Sequence, residues 1–289
     1  MTYPTFRQRA VLAAVTALGL IGLSAPSAVA APDDPVAPYL GTWNYDRPDP
    51  ATMTDMATLD LPGYTATFPQ IGTVDFRRGE NGEVIGYTDQ GCTWRFRVEA
   101  DALEMTSTDQ YCFNRNIGAG YNVDRWRIRI DGDHEWESLH ANSYLVGASF
   151  SFDLVDGRRT RASAADRDET LRRFAGSWRL DPPDPTHMVG IANVNNALGL
   201  ALPVPVSGGV EYRAATGDTI IARTDDGCEW TLEAHGNTAE LSPETQTCHG
   251  MRRNLWAVAS DGTQQTTAMA GIDAGGSPFY LSNGSLHRG

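Results

Sequence analysis

The sequence predicts an all-β protein built as two tandem antiparallel meander β-barrels, each carrying one disulfide. Three observations predict it. A domain-length segment occurs twice, four cysteines fall into two equally spaced pairs, and apolar residues alternate with polar ones along several short stretches.

The duplication fixes the organisation. Gly41-Thr42-Trp43-Asn44-Tyr45-Asp46-Arg47-Pro48-Asp49-Pro50 lies over Gly176-Ser177-Trp178-Arg179-Leu180-Asp181-Pro182-Pro183-Asp184-Pro185 with six of ten positions identical. Residues 72–112 align without a gap on 208–248, including Thr88-Asp89-x-Gly91-Cys92-x-Trp94 against Thr224-Asp225-x-Gly227-Cys228-x-Trp230. Such a period makes each copy a domain rather than a solenoid unit. The copies are assigned to 37–160 and 174–289, with a polar, Ala-rich linker or short helix at 161–173.

The chain opens with Arg7 and Arg9, an apolar run from Ala10 to Leu23 and small residues ending in Ala28-Val29-Ala30. That is the pattern of a Sec-type signal peptide over residues 1–30, cut after Ala30, and it implies a secreted or envelope-associated protein. The apolar run is shorter than a bilayer span and no later stretch is long enough, so no membrane insertion is expected. The net charge of -13 disfavours phosphate backbones, which excludes nucleic acid as a partner.

Strands follow in order. Thr42 to Asp46, Gly72 to Arg77, Glu83 to Thr88, Ala102 to Ser107, Gln110 to Phe113 and Ala148 to Val155 are short runs bounded by turn residues. In the strand that begins at Cys92, Trp94, Phe96 and Val98 share one face while Thr93, Arg95, Arg97 and Glu99 share the other; Trp230, Leu232 and Ala234 repeat the inner face. Trp126, Ile128 and Ile130 alternate in the same way with Arg125, Arg127 and Arg129. A three-residue turn at Asp131-Gly132-Asp133 would set Arg129 opposite Glu135, Ile128 opposite Trp136 and Arg127 opposite Glu137, matching charge with charge and apolar with apolar. So many half-buried strands are best satisfied by closure into a barrel, which leaves no edge.

The connection after the first strand is long and apolar. In copy two, Met188, Ile191, Ala192, Leu198, Ala201 and Leu202 have a helix-like spacing stopped by Pro203; Met53, Met56 and Leu59, stopped by Pro62, form a weaker counterpart. These segments are expected to cover the barrel mouths.

Cys92 and Cys112 are 20 residues apart, as are Cys228 and Cys248. Pairing within each copy lets each module close by itself, and closing such a loop stabilises by roughly 3 kcal/mol on the chain-entropy model. An exported chain without a Cys-x-x-Cys motif points to disulfides rather than zinc, and no metal or cofactor is expected.

Gly41-Thr42-Trp43 and Gly176-Ser177-Trp178 resemble the Gly-x-Trp that opens lipocalin and related calycin barrels, and the long connection resembles their lid. Thr108-Asp109-Gln110-Tyr111 resembles their Thr-Asp-Tyr loop with one residue added, whereas copy two has Glu244-Thr245-Gln246-Thr247. Their late Arg, packed over the Trp, corresponds to one of Arg158, Arg159 and Arg161, with no clear counterpart in copy two. The chain as a whole is also similar to uncharacterised secreted proteins of actinobacteria. The calycin resemblance implies a barrel holding a small, largely apolar ligand.

On that reading Trp43, Trp94, Trp178 and Trp230, with Met188, Ile191 and Leu198 of the lid, are the candidate ligand-binding residues; the competing reading makes the tryptophans barrel filling. His134 and His140 are separated by roughly 20 Å of strand, too far to share an ion. Asp46, Asp49, Asp181 and Asp184 sit among prolines as turn residues. No Gly-x-Ser-x-Gly elbow or spare cysteine supports catalysis. Three functions remain: a secreted non-catalytic binding protein, an envelope-associated interaction or structural protein with filled barrels, and an enzyme working between the domains. Copy two is the better candidate for a cavity because Leu232 and Ala234 replace Phe96 and Val98.

Overall fold

The computed structural model describes residues 34–61, 64–89, 91–107, 110–114, 119–145, 148–162, 167–195 and 200–289. The predicted signal peptide and Leu198 lie outside them. Residues Pro35–Gly289 form one compact unit, and within it no described helix is long and apolar enough to cross a membrane.

The first sheet contains β1 (Gly41–Tyr45), β2 (Met56–Leu61), β3 (Tyr64–Pro69), β4 (Thr73–Arg78), β5 (Glu83–Thr88), β6 (Thr93–Glu99), β7 (Ala102–Met105), β8 (Gln110–Asn114), β9 (Ala119–Asp131), β10 (His134–Leu145) and β11 (Ala148–Arg161). Hydrogen bonding runs β1-β4-β5-β6-β7-β9-β10-β11 and back to β1, an antiparallel barrel of eight strands. The last three strands are longer than the ring needs. Beyond it, β2 joins β11 at residues 151–154, while β1 takes residues 159–161, and β8 occupies the first part of β9 as β7 occupies a later part. Each repeat is therefore a closed ring continued by an overhanging sheet, β8-β9-β10-β11-β2-β3.

The short helix α1 (Arg167–Phe174) leads into the second repeat. Its acidic Asp168 and Glu169 start it and Arg172 and Arg173 end it, complementing the helix dipole, while Leu171 and Phe174 are buried in the second core. The second sheet comprises β12 (Gly176–Leu180), β13 (Ile191–Asn195), β14 (Ala201–Pro205), β15 (Gly209–Ala214), β16 (Thr219–Thr224), β17 (Glu229–His235), β18 (Thr238–Leu241), β19 (Gln246–Cys248), β20 (Met251–Ser260), β21 (Gln264–Ile272) and β22 (Pro278–Arg288), joined in the same order.

The alternation read along Cys92 to Glu99 sorts the side chains correctly: Trp94 and Phe96 are buried and Thr93, Arg95 and Arg97 are exposed. Disulfides link Cys92 to Cys112 and Cys228 to Cys248, each inside one repeat, and fit an oxidising, extracytoplasmic compartment. Cys112 and Cys248 sit on β8 and β19, so each bridge ties the overhanging sheet back to the ring.

Two expectations are overturned. The segment read as a helix-like lid is the hairpin β13–β14, with Ile191 opposite Pro205 and Asn193 opposite Pro203. Proline lacks a ladder donor, but β14 is the last strand of the sheet and needs none on its free side. The turn after β9 holds two residues rather than three: Asp131 pairs with His134, Ile130 with Glu135 and Ile128 with Glu137. A one-residue slip moves every side chain to the opposite face. Glu135 and Glu137 therefore point into the barrel and Trp136 points out, and the surface arginines find other partners, Arg95 with Glu83, Arg127 with Glu104 and Arg129 with Asp101.

Candidate functional site

Trp43 and Trp178 close the bases of the two rings. Their indole N–H groups donate to the carbonyl oxygens of Tyr39 (2.9 Å) and Phe174 (2.6 Å). The guanidinium of Arg161 lies 4.1 Å from the Trp43 ring centre and that of Arg288 lies 4.7 Å from Trp178. Arg288 pairs with Trp178 as Arg161 pairs with Trp43, a counterpart the sequence left unclear; it also donates to the carbonyls of Arg172 and Ala175.

Above the base the repeats diverge. In the first, Arg159 is buried and donates to Glu135 (2.5 Å) and Glu137 (2.7 Å), while the Tyr45 hydroxyl and the Trp126 indole N–H also donate to Glu137. The Arg159 guanidinium stacks 3.9 Å over the Tyr45 ring. Burial pushes the Glu135 carboxyl up to about 7 against the pull of Arg159, and burial raises the Tyr45 hydroxyl well above its ordinary value. Higher up, Phe152 packs edge-on against Phe68 and Tyr121. These side chains occupy the first interior at both levels.

Register identifies the counterparts in the second repeat. Tyr45 ends β1 opposite Arg159, and Leu180 ends β12 opposite Leu286. Arg159 faces Glu135 as Leu286 faces Gln265, and Trp126 donates to Glu137 as Trp256 donates to Thr267 at 3.1 Å. Along the overhang, Phe68 opposite Ala57 becomes Val204 opposite Ala192, and Tyr121 opposite Cys112 becomes Met251 opposite Cys248. Nearly every exchange is from larger to smaller. The result is a cavity of about 410 Å³ whose walls include Leu180, Val194, Val204, Met269, Phe279 and Leu286.

One cation borders this cavity. Arg253 of β20 has its guanidinium 5.1 Å from the Trp230 ring centre and 4.5 Å from that of Phe279, and its Nε is buried without a hydrogen-bond partner. Burial holds the guanidinium below its ordinary value, opposed by Asp226 and Asp273.

A second, more polar cleft of about 580 Å³ lies between the repeats, lined by Asp89, Tyr111 and the Cys92–Cys112 bridge from one and by Glu240, Glu244 and Trp256 from the other. Glu240 is pushed up to about 8 by burial and by a hydrogen-bonded neighbour, Asp89. The repeats are also joined by the Asn237 amide on the Tyr45 carbonyl, the Thr266 hydroxyl on the Pro48 carbonyl and an Arg47–Asp261 ion pair at 2.9 Å.

No protein-family model matches the chain, and no curated protein matches it. Solved structures that match include two with low overall superposition. One is a protein of unknown function from the DUF3598 family of Nostoc punctiforme, with 10% identity over 89% of this chain and 98% of that one, at a TM-score of 0.30. The other is a putative outer membrane protein of Bacteroides fragilis, with 9% identity over 89% and 99% and a TM-score of 0.27.

Trp43, Trp94, Trp178 and Trp230 are all fully buried, and none lines the cavity; Trp256 does. Met188 lies in the turn before β13 and Ile191 is buried at that strand's start, while Ala192 and Val194 face the cavity. Leu198 lies outside the described residues. Asp49 and Asp184 accept the backbone N–H of Ala51 and Thr186, as turn residues do. Arg253 was missed because its counterpart by register, Val123, is an ordinary core residue. The sequence pointed to a cavity beside Leu232 and Ala234, neither of which lines it; the Tyr45-to-Leu180 exchange in the aligned decapeptides is the signal that could have located it.

Proposed function

We propose that the protein is an extracytoplasmic, non-catalytic binding protein with a lipocalin-like plan, in which the second repeat holds a small, largely apolar ligand and the first repeat is a filled, structural barrel. The carrying observation is the 410 Å³ cavity, present where Leu180, Thr267 and Leu286 replace Tyr45, Glu137 and Arg159. Apolar walls with few polar groups are what small-molecule sites share. The Arg-over-Trp stack at both bases supports the lipocalin-like plan. Native mass spectrometry of protein purified from its own host tests this. A retained small molecule is expected, and a Val204→Phe/Met251→Tyr variant, which installs the first repeat's residues, should lose it. A host-purified protein that carries nothing and takes up no apolar compound defeats the reading.

A second reading, an enzyme acting in the inter-repeat cleft, is favoured by one observation, the hydrogen-bonded Glu240–Asp89 pair. Two carboxyls sharing a proton are a known acid–base arrangement. Asp89, however, is exposed and already accepts the Thr73 N–H at 2.7 Å. Hydrolytic activity against peptide or ester substrates that disappears in Glu240→Gln would favour this reading over binding.

A further inference from the structure

We infer that the second-repeat cavity selects an uncharged apolar molecule bearing one hydrogen-bond acceptor oxygen, an ester, ketone or alcohol, which takes the unused donors of Arg253. This rests on the binding reading above and names the ligand class.

The surroundings of the Arg253 guanidinium carry this. Two aromatic rings lie against it, Trp230 with its ring centre 5.1 Å away and Phe279 with its ring centre 4.5 Å away. Nε is buried with no partner, and an unbonded N–H of a charged group costs more than a neutral one. Nε is closed to the cavity, so an oxygen arriving with the ligand would bond to the terminal amino groups of this cavity-lining side chain. The apolar remainder would lie along Val194, Val204, Met269 and Leu286.

The carboxylates nearby decide between a neutral and an anionic acceptor. Asp226 and Asp273 both border the cavity and both act on Arg253 through their charge. Neither needs the guanidinium as a donor. Asp226 accepts the Thr224 hydroxyl (2.6 Å) and the Cys228 N–H (3.0 Å), and Asp273 accepts the Ser277 N–H (2.8 Å). Asp225, also at the rim, is engaged by Arg179 at 2.8 Å. The cation is thus compensated at range, by charges whose own hydrogen bonds go elsewhere. A carboxylate ligand would add negative charge to a site that already has more carboxylates than cations. A carbonyl or hydroxyl oxygen gains the same hydrogen bond without that repulsion.

Equilibrium dialysis of the purified full-length protein against a medium-chain alkane, the methyl ester of the matching fatty acid and the free carboxylate tests this. The ester is expected to bind about tenfold or more tightly than either of the others, the scale of one hydrogen bond to a charged group. In Arg253→Met the alkane should bind as before and the ester should lose its advantage. Arg253→Val, which places the residue of Val123 at the matching position, is the second variant should Met disturb the sheet. Equal binding of all three compounds, tightest binding of the carboxylate, or an ester preference that survives both substitutions would each overturn the inference while leaving the cavity reading intact. Failure of every compound to bind would overturn both.

Discussion

Arg159 decides what the first repeat is. A guanidinium, two carboxyls and a phenol share one buried interior, and such a cluster holds together only while each member keeps its partners. Arg159→Leu alone strands two buried carboxyls and should destabilise the protein by about 3–5 kcal/mol in urea unfolding. The second repeat shows the same framework without charge. Transplanting its residues together, Tyr45→Leu, Glu135→Gln, Glu137→Thr and Arg159→Leu, should recover most of that loss, because replacing a buried ionic cluster whole is often neutral or favourable. A quadruple variant less stable than the single one would show that the cluster organises the barrel rather than merely filling it. Such a network was not legible in the sequence: Glu135 and Arg159 meet only through a strand pairing, and pairing Glu135 with Arg129 across a longer turn satisfied local charge equally well.

At the scale of elements, the disulfides have different neighbours. Cys248 pairs with Met251, and Met251 and Arg253 both border the cavity, so the second bridge braces one of its walls. Replacing Cys228 and Cys248 with Ser should cost roughly 3 kcal/mol by the loop-closure model and should also weaken ligand binding several-fold. The matching change at Cys92 and Cys112 should cost stability and leave binding intact, as read by unfolding midpoints and dialysis on the same samples. Equal effects on binding would mean that the wall does not depend on its bridge. The cysteine spacing and the inward alternation of Trp94 and Phe96 were legible because both are local. The β13–β14 hairpin was not, since Met188, Ile191 and Leu198 are spaced as a helix would space them and only the exposed edge explains why Pro203 and Pro205 are tolerated.

For the whole molecule, duplication supplied two rings whose interiors have diverged, and a hydrogen-bonded carboxyl pair joins them. Glu240 of the second repeat is held protonated against Asp89 of the first, with its carboxyl raised to about 8 from an ordinary 4.5. The folded form therefore keeps a proton that the unfolded chain releases. Between pH 4.5 and about 8 the native state binds more protons than the unfolded one, so stability falls as pH rises through that window and levels off above it. Asp55, buried with one carboxyl oxygen unpartnered and also raised to about 8, adds a contribution of the same sign from about pH 3.8. Glu240→Gln should accordingly flatten part of the decline in unfolding free energy from acid to mild alkali, and Glu240→Gln with Asp55→Asn should flatten more of it. Because only Glu240 lies at the joint, alkaline conditions should also increase hydrogen exchange along β18 in the unaltered protein but not in Glu240→Gln; identical exchange in the two would place the pH response elsewhere.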